Sequence, residues 1–385
     1  MVSFWSAAWQ IKPLVHYLPL GIAAAEQMAN QVPAESLPEW HALLFHLYYW
    51  HGHTESSLGS FARSDAAYQK GLELVQTGMP GDERCELIRL GLGHNARVRG
   101  HMEEAEAYFR LVLENDGRFA SGALLNIGII LRNLYQLAAA RTHFENAYER
   151  ARRLKQPYLE AMAVYELGLA AFNEEHYEQA LDYYERSRTL GQHLGDRRIE
   201  SLCITGLGEV AMRQGHCPQA KELFNQGLVF DREMLDQIGE GVDLVRLGEV
   251  AYLEERDEAA IHLVEEGLPL LQRTQNRREE GYALTLLAKV HLHQRRFYQA
   301  EQLLQAALAI DQDTKDRLSL CIDHNLLAQA LEGSGRVHEA AKHQQKSERL
   351  QKQLGLKSLP TSGSATPYQA TRHTRFLAKI HGREG

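Results

Sequence analysis

Two carboxylates forty residues apart, Glu209 and Glu249, sit in identical settings, Leu207-Gly208-Glu209-Val210-Ala211 and Leu247-Gly248-Glu249-Val250-Ala251. Paired carboxyls are what general acid–base chemistry uses, one giving a proton while the other takes one. A duplicated segment carries the same glutamate whether or not it does chemistry, so symmetry is the competing explanation. Four histidines, His41, His46, His51 and His53, form the other dense group. Metal ligands on one helical face recur at i and i+4, whereas these lie 5, 5 and 2 residues apart. Half-buried histidines among Tyr48, Tyr49 and Trp50 are the alternative to a metal site. The chain has no G-x4-G-K-[ST] phosphate loop, no G-x-G-x-x-G after a strand, no G-x-S-x-G elbow and no H-E-x-x-H. It is therefore read as non-catalytic, with no metal and no other cofactor. An enzyme working through a site outside these motifs is kept as a distant alternative.

The elements that carry these residues are legible from a periodicity. Twelve residues after each glycine stands an alanine: Gly93 and Ala105, Gly128 and Ala140, Gly168 and Ala180, Gly208 and Ala220, Gly248 and Ala260. Alanine replaces the glycine in Ala288 with Ala300 and Ala328 with Ala340, and a weaker copy is Gly52 with Ser64. This makes about eight units, most of them forty residues long. Each reads as two helices of roughly four turns joined by a tight polar turn, in the clearest case 199–213, a turn at 214–216, and 218–234. A glycine inside a helix costs about 1 kcal/mol relative to alanine. Its return in unit after unit implies close packing, with the two helices crossing there and the small alanine opposite. Four residues beyond the alanine comes a bulky residue, Tyr68, Phe109, Phe144, Tyr184, Phe224, Val264 or Leu304. It is placed to fill the gap to the next unit.

A repeat array turns 385 residues into one elongated body where length alone would suggest two or three domains. Residues 1–40 read as capping helices and a linker, with one or two short helices broken at Pro13 and Pro19; residues 41–354 are the array. Residues 355–385 begin rich in Ser, Thr, Pro and Gly and end basic, and are expected to be disordered. The basic end is either a loose tail or a short helix that engages a partner. A net charge of -8 argues against a nucleic-acid partner. No stretch approaches the ~18 uninterrupted apolar residues of a membrane helix. Residues 13–25 are mostly apolar but lack the positive cluster of an export signal. Cys85, Cys203, Cys217 and Cys321 are far apart with no C-x-x-C pair, which fits a cytoplasmic protein.

Leu92-Gly93, Leu167-Gly168, Leu207-Gly208 and Leu247-Gly248, the alanine twelve residues after each glycine and the bulky residue four beyond it resemble the tetratricopeptide-repeat pattern W-x2-L-G-x2-Y…A-x3-F…P. The likeness covers 41–354. It departs from the standard pattern in a unit of about forty residues instead of thirty-four, and in lacking the early Trp and late Pro. Such long units look like those of Leu-Gly-Asn polarity scaffolds, kinesin light chains and the sensor arms of bacterial signalling NTPases. The resemblance implies an all-α fold, a right-handed α-solenoid of about eight helix-turn-helix repeats with terminal capping helices.

It also implies a concave face lined by the first helices, on which positions i, i+4 and i+7 share one side. Three zones then follow along the array. His94, Arg97 and Arg132 make a basic zone with Asn126 and Asn133 beside it, Tyr165 and Phe172 an aromatic centre, and Glu209, Glu249 and Tyr252 an acidic zone, with Lys289 beyond. Rings flanked by opposite charges suit a protein or peptide partner held in the groove. The competing reading is that some of these residues only pack on the preceding unit. The function expected is a non-catalytic interaction scaffold or adaptor. The alternative is a peptide- or signal-sensing receptor whose superhelical pitch changes on binding.

Overall fold

The computed structural model describes residues 8–29, 31–58, 60–78, 83–115, 117–356 and 359. Among them are seventeen α-helices and no strand. The first, α1 (Ala8–Ala29), is followed by α2 (Leu37–Ser57), α3 (Phe61–Gly78), α4 (Arg84–Val98), α5 (Met102–Glu114), α6 (Ala120–Asn133), α7 (Leu137–Arg153), α8 (Pro157–Asn173) and α9 (Tyr177–Leu194). Then come α10 (Arg197–Arg213), α11 (Cys217–Met234), α12 (Gln237–Leu253), α13 (Asp257–Arg273), α14 (Arg277–His293), α15 (Phe297–Thr314), α16 (Arg317–Gly333) and α17 (Val337–Leu354). Consecutive helices pack as hairpins, making an all-α solenoid. Contacts divide it into two compact units, one running to Ile130 and including Thr142–Ala163, the other comprising Leu131–Arg141 and the chain from Val164 onward. The helices expected at 199–213 and 218–234 are α10 and α11. Of the tail expected to be disordered, all but Gly355, Leu356 and Leu359 lies outside the described residues.

One expectation is corrected at the start of the chain: α1 continues through Pro13 and Pro19 as a single helix. A proline inside a helix costs about 3 kcal/mol. Against that cost stands the stripe Leu18, Ile22 and Ala25, buried with Leu44 and Tyr48 of α2, where each large side chain contributes ~1.5–3 kcal/mol. The indole N–H of Trp40 also donates to the Ala25 carbonyl at 3.1 Å.

The turns keep a stricter count than the sequence reveals. From residue 135 onward a left-handed residue stands at every twentieth position: Tyr135, Lys155, Glu175, Gly195, Gly215, Leu235, Glu255, Gln275, Arg295, Lys315, Gly335 and Gly355. Each stops a helix, and the next amide turns back onto the last turn, as where Asp196 N–H donates to the Gly191 carbonyl at 2.9 Å and His216 N–H to that of Ala211 at 2.9 Å. Every fortieth residue then caps a first helix. The carboxylates of Asp196, Asp236 and Asp316 and the amide oxygen of Asn276 accept from the first free backbone N–H groups of α10, α12, α16 and α14.

The recurring glycines are explained by rings. A Cβ built on Gly93, Gly128, Gly168 or Gly208 would lie 2.6, 2.5, 2.7 or 2.6 Å from Phe109, Phe144, Tyr184 or Phe224, sixteen residues on. Where the partner is Val264, the distance from Gly248 is 2.6 Å, and the carbonyl of Ala260 is 3.2 Å away. The nearest neighbour of the glycine is thus the bulky side chain, with the buried alanine placed one turn before it. The ring also reaches the following hairpin, because a Cβ on Gly206 would lie 2.8 Å from Tyr184 and one on Gly91 2.5 Å from Tyr68. Tyr184 is consequently held between two glycine-bearing helices with no exposed surface.

Gly208→Ala replaces a poor helix former with the best one, a gain of about 1 kcal/mol in an open helix. Here the methyl group meets the Phe224 ring, and overpacking costs ~1–3 kcal/mol. Gly208→Ala is expected to lower the thermal midpoint, and Gly208→Ala combined with Phe224→Leu to recover part of the loss. Differential scanning calorimetry of the three chains checks both.

Candidate partner-binding face

With the rings of the second helices turned into the hairpin junctions, the first helices carry the polar and aromatic side chains expected to meet a partner. In the unit running to Ile130, His94 is exposed on α4, its Nδ1 3.3 Å from Arg97 Nη2. Asn126 of α6 donates back to the Gly122 carbonyl of its own helix at 2.9 Å.

In the other unit most of the residues have side-chain partners on other helices. Arg132, 9% exposed, donates through Nε to Glu166 of α8 at 3.0 Å. Asn133 accepts from Arg278 of α14 at 3.1 Å, a contact across 145 residues of chain. Tyr165 and Phe172 of α8 are half-buried; Tyr165 stacks at a tilt on Tyr184 with centroids 5.7 Å apart, and the Arg213 guanidinium of α10 lies 5.5 Å from the Phe172 ring. Burial, with Glu166 and Glu209 nearby, pushes the Tyr165 phenol well above its ordinary value, so it stays a neutral donor.

The acidic zone is neutralised by a residue that the sequence reading passed over. Arg246 of α12 donates to Glu209 through Nε at 2.6 Å and to Glu279 through Nη2 at 3.0 Å. Its guanidinium lies 4.2 Å from the Tyr282 ring centre, and the Tyr282 hydroxyl donates to Glu249. Burial opposes the Arg246 charge, and the Glu279 and Glu209 carboxylates more than offset it, holding the guanidinium well above its ordinary range. Glu249 has no exposed surface and Tyr252 is 8% exposed, its ring meeting that of His293 edge-on at 6.4 Å. Glu209 and Glu249 therefore face a guanidinium and a phenol rather than each other's protons. Lys289 of α14 is half-buried, its ammonium drawn down by burial against the pull of the Glu249 carboxylate.

The face reading at i, i+4 and i+7 took positions 245, 249 and 252 on α12 and so stepped over 246. The available signal was the forty-residue column 166, 206, 246, 286, which reads Glu, Gly, Arg, Leu and breaks the otherwise repeating chemistry. Among the described residues, no three His, Cys, Asp or Glu side chains converge as a metal site would need, and no helix is long and apolar enough to cross a membrane.

A family model described as tetratricopeptide repeat matches residues 279–353, and a second of the same description matches residues 45–74. The fold is similar to that of a Rap protein crystallised with competence and sporulation factor, at 15% identity over 90% of this chain and 88% of that one, with a TM-score of 0.55. It is similar also to the apo form of the quorum sensor NprR from B. thuringiensis, at 14% identity over 88% and 96%, TM-score 0.53. Aspartyl phosphate phosphatase F from Bacillus subtilis matches at 16% identity over 71% and 73%, TM-score 0.55. No curated protein matches the chain by sequence. At these identities the likeness is one of fold.

Removing one partner of a buried ion pair leaves the other charge uncompensated and costs ~3–5 kcal/mol. Arg246→Met, which strands both Glu209 and Glu279, is expected to fall in that range, and Glu209→Gln, which leaves Glu279 on the guanidinium, well below it. Hydrogen exchange of the α12 amides in the two variants measures the difference.

Proposed function

We propose that this chain, which belongs to the tetratricopeptide-repeat family, is a non-catalytic interaction protein that holds a peptide or helix of a partner against the inner faces of its first helices. The observation that carries this reading is the half-buried row Tyr165, Leu169 and Phe172 on α8, bordered by Arg213. Aromatic anchors with a guanidinium at their edge are the side chains that dominate interfaces. In the one unit the proposed contacts are His94, Arg97 and Asn126. In the other they are Tyr165, Phe172 and Lys289, with Arg132, Asn133, Glu209, Glu249 and Tyr252 holding them in place through the pairs described above.

A second reading has its own support. The Arg278–Asn133 contact ties the start of α14 to the end of α6, and any change of pitch between those helices must stretch it. A regulatory receptor that senses a peptide would work in this way, and the fold is similar to those of the Rap protein crystallised with competence and sporulation factor and of the quorum sensor NprR.

Peptides selected from a random library on the full chain test both readings. Phe172→Ala and Lys289→Ala are each expected to weaken the selected peptides at least about tenfold, while Arg186→Ala on α9 leaves binding unchanged. Equal binding by all three variants contradicts the inner face. With peptide bound, a change in the solution-scattering radius supports the receptor, and an unchanged radius the scaffold.

A further inference from the structure

The hairpin junctions are not chemically alike. At the α10–α11–α12 junction, the Ser201 hydroxyl of α10 donates to Asp231 of α11 at 2.6 Å, and the Thr205 hydroxyl of α10 donates to Asp243 of α12 at 2.8 Å. Asp231 is 2% exposed and Asp243 fully buried. The backbone is cut to fit them, because a Cβ on Gly239 would collide with the Asp231 carboxyl and one on Gly227 with that of Asp243. Eighty residues on, the arrangement returns at α14–α15–α16. Thr285 donates to Asp323 at 2.7 Å, and Asp311 sits 3.0 Å from where a Cβ on Gly281 would be. The Asp311 and Asp323 carboxyls are neighbours, and each is raised above the ordinary carboxylate range, chiefly by burial. At the α12–α13–α14 junction between them, the two aspartate positions are filled by Leu271 and Ala283, both fully buried.

We propose that the α10–α11–α12 and α14–α15–α16 junctions are proton-locked joints, closed while their paired aspartates hold protons and loosened when these are lost, with a joint between them that lacks the buried aspartates and is bridged instead by the His293–Asp257 pair. A buried carboxyl accepting one hydroxyl proton has no counter-charge to offset ionisation, so it keeps its proton or the cavity opens. Asp231 faces Ser201 and Arg198 of α10 and Asp236 and Glu240 at the start of α12; burial pushes it up to about 7. Asp243 faces Thr205 and Glu209 of α10, Asp231 of α11 and Arg246 of its own helix; burial, then the Asp231 charge, raise it well above the ordinary range. Asp311 faces Asp323 and Asp316, with Arg278 of α14 opposing; burial and those two carboxyls raise it. Asp323 faces Thr285 and Lys289 of α14, Asp311 of α15 and Asp316, and burial raises it also; α17 meets this helix through Ser347 and Cys321.

The sign follows from linkage. An acid held more tightly protonated in the fold contributes stability that is complete below its unfolded value, near 3.9, and is lost as pH rises through its folded value. For Asp231 that window runs from about 4 to about 7, so the joint loosens progressively as pH rises through the mildly acidic range and is fully loosened by neutral pH.

Hydrogen exchange of the full chain at acid and alkaline pH, corrected for intrinsic rates, tests the proposal. Protection in α11 and α15 is expected to fall at least about tenfold per pH unit within the window, with a clearly smaller fall in α13, where Leu271 and Ala283 replace the aspartates. The fourfold variant Asp231→Asn, Asp243→Asn, Asp311→Asn, Asp323→Asn, which keeps the hydroxyl partners, is expected to lose most of that fall. Equal pH dependence in α11, α13 and α15, or a variant that keeps the wild-type profile, overturns the proposal. If the variant does not fold, the comparison of α13 with α11 and α15 in the wild type decides alone.

Discussion

A glycine with no side chain against a ring with nowhere else to go is the constraint on which this solenoid rests. Gly93, Gly128, Gly168 and Gly208 each yield the space of a methyl group to a ring sixteen residues later. The rings of Tyr68 and Tyr184 reach far enough to need a second glycine, Gly91 and Gly206, on the hairpin that follows. The contact therefore fixes the crossing of two helices and the docking of the next at once. The dispersion and burial terms gathered by a ring with no exposed surface exceed the roughly 1 kcal/mol that a helical glycine gives up.

Two consequences reach the first helices. With the large side chains of the second helices held between hairpins, α8, α10, α12 and α14 carry a set of charged and aromatic side chains in contact with one another. Packed this closely, those residues must satisfy one another. Arg246 binds two carboxylates and lies over Tyr282, Arg132 binds Glu166, and Asn133 receives Arg278. A buried charge left single costs more than a paired one gains, so these pairs tie one first helix to the next.

The fold was legible because its rule is local and repeated: glycine, alanine and bulky residue keep one spacing across the chain. The helix boundaries of α10 and α11 followed from Gly215 and Pro218 to within two residues. The twenty-residue turn register was only partly legible, since Gly195, Gly215, Gly335 and Gly355 announce a left-handed residue whereas Glu175, Leu235 and Lys315 do not. The continuous α1 was missed because Pro19 speaks for a break, and the burial of Leu18 and Ile22 that overrides it is a tertiary effect. Among the candidate contact residues, the sequence could not tell a charge offered to a partner from one already paired. Arg246 joins side chains 37 and 33 residues away, and no helical periodicity reports that.

The same closeness of small residue and ring leaves a spectroscopic trace. In a chain labelled at glycine, the α-proton resonances of Gly93, Gly128, Gly168 and Gly208 are predicted to be displaced by the ring currents of Phe109, Phe144, Tyr184 and Phe224. Gly248, packed on the aliphatic Val264, should keep an ordinary glycine shift, and Phe224→Leu should return Gly208 alone to that position. Five glycines with the same undisplaced shift, or a Gly208 resonance indifferent to the loss of the Phe224 ring, would contradict the packing on which the solenoid depends.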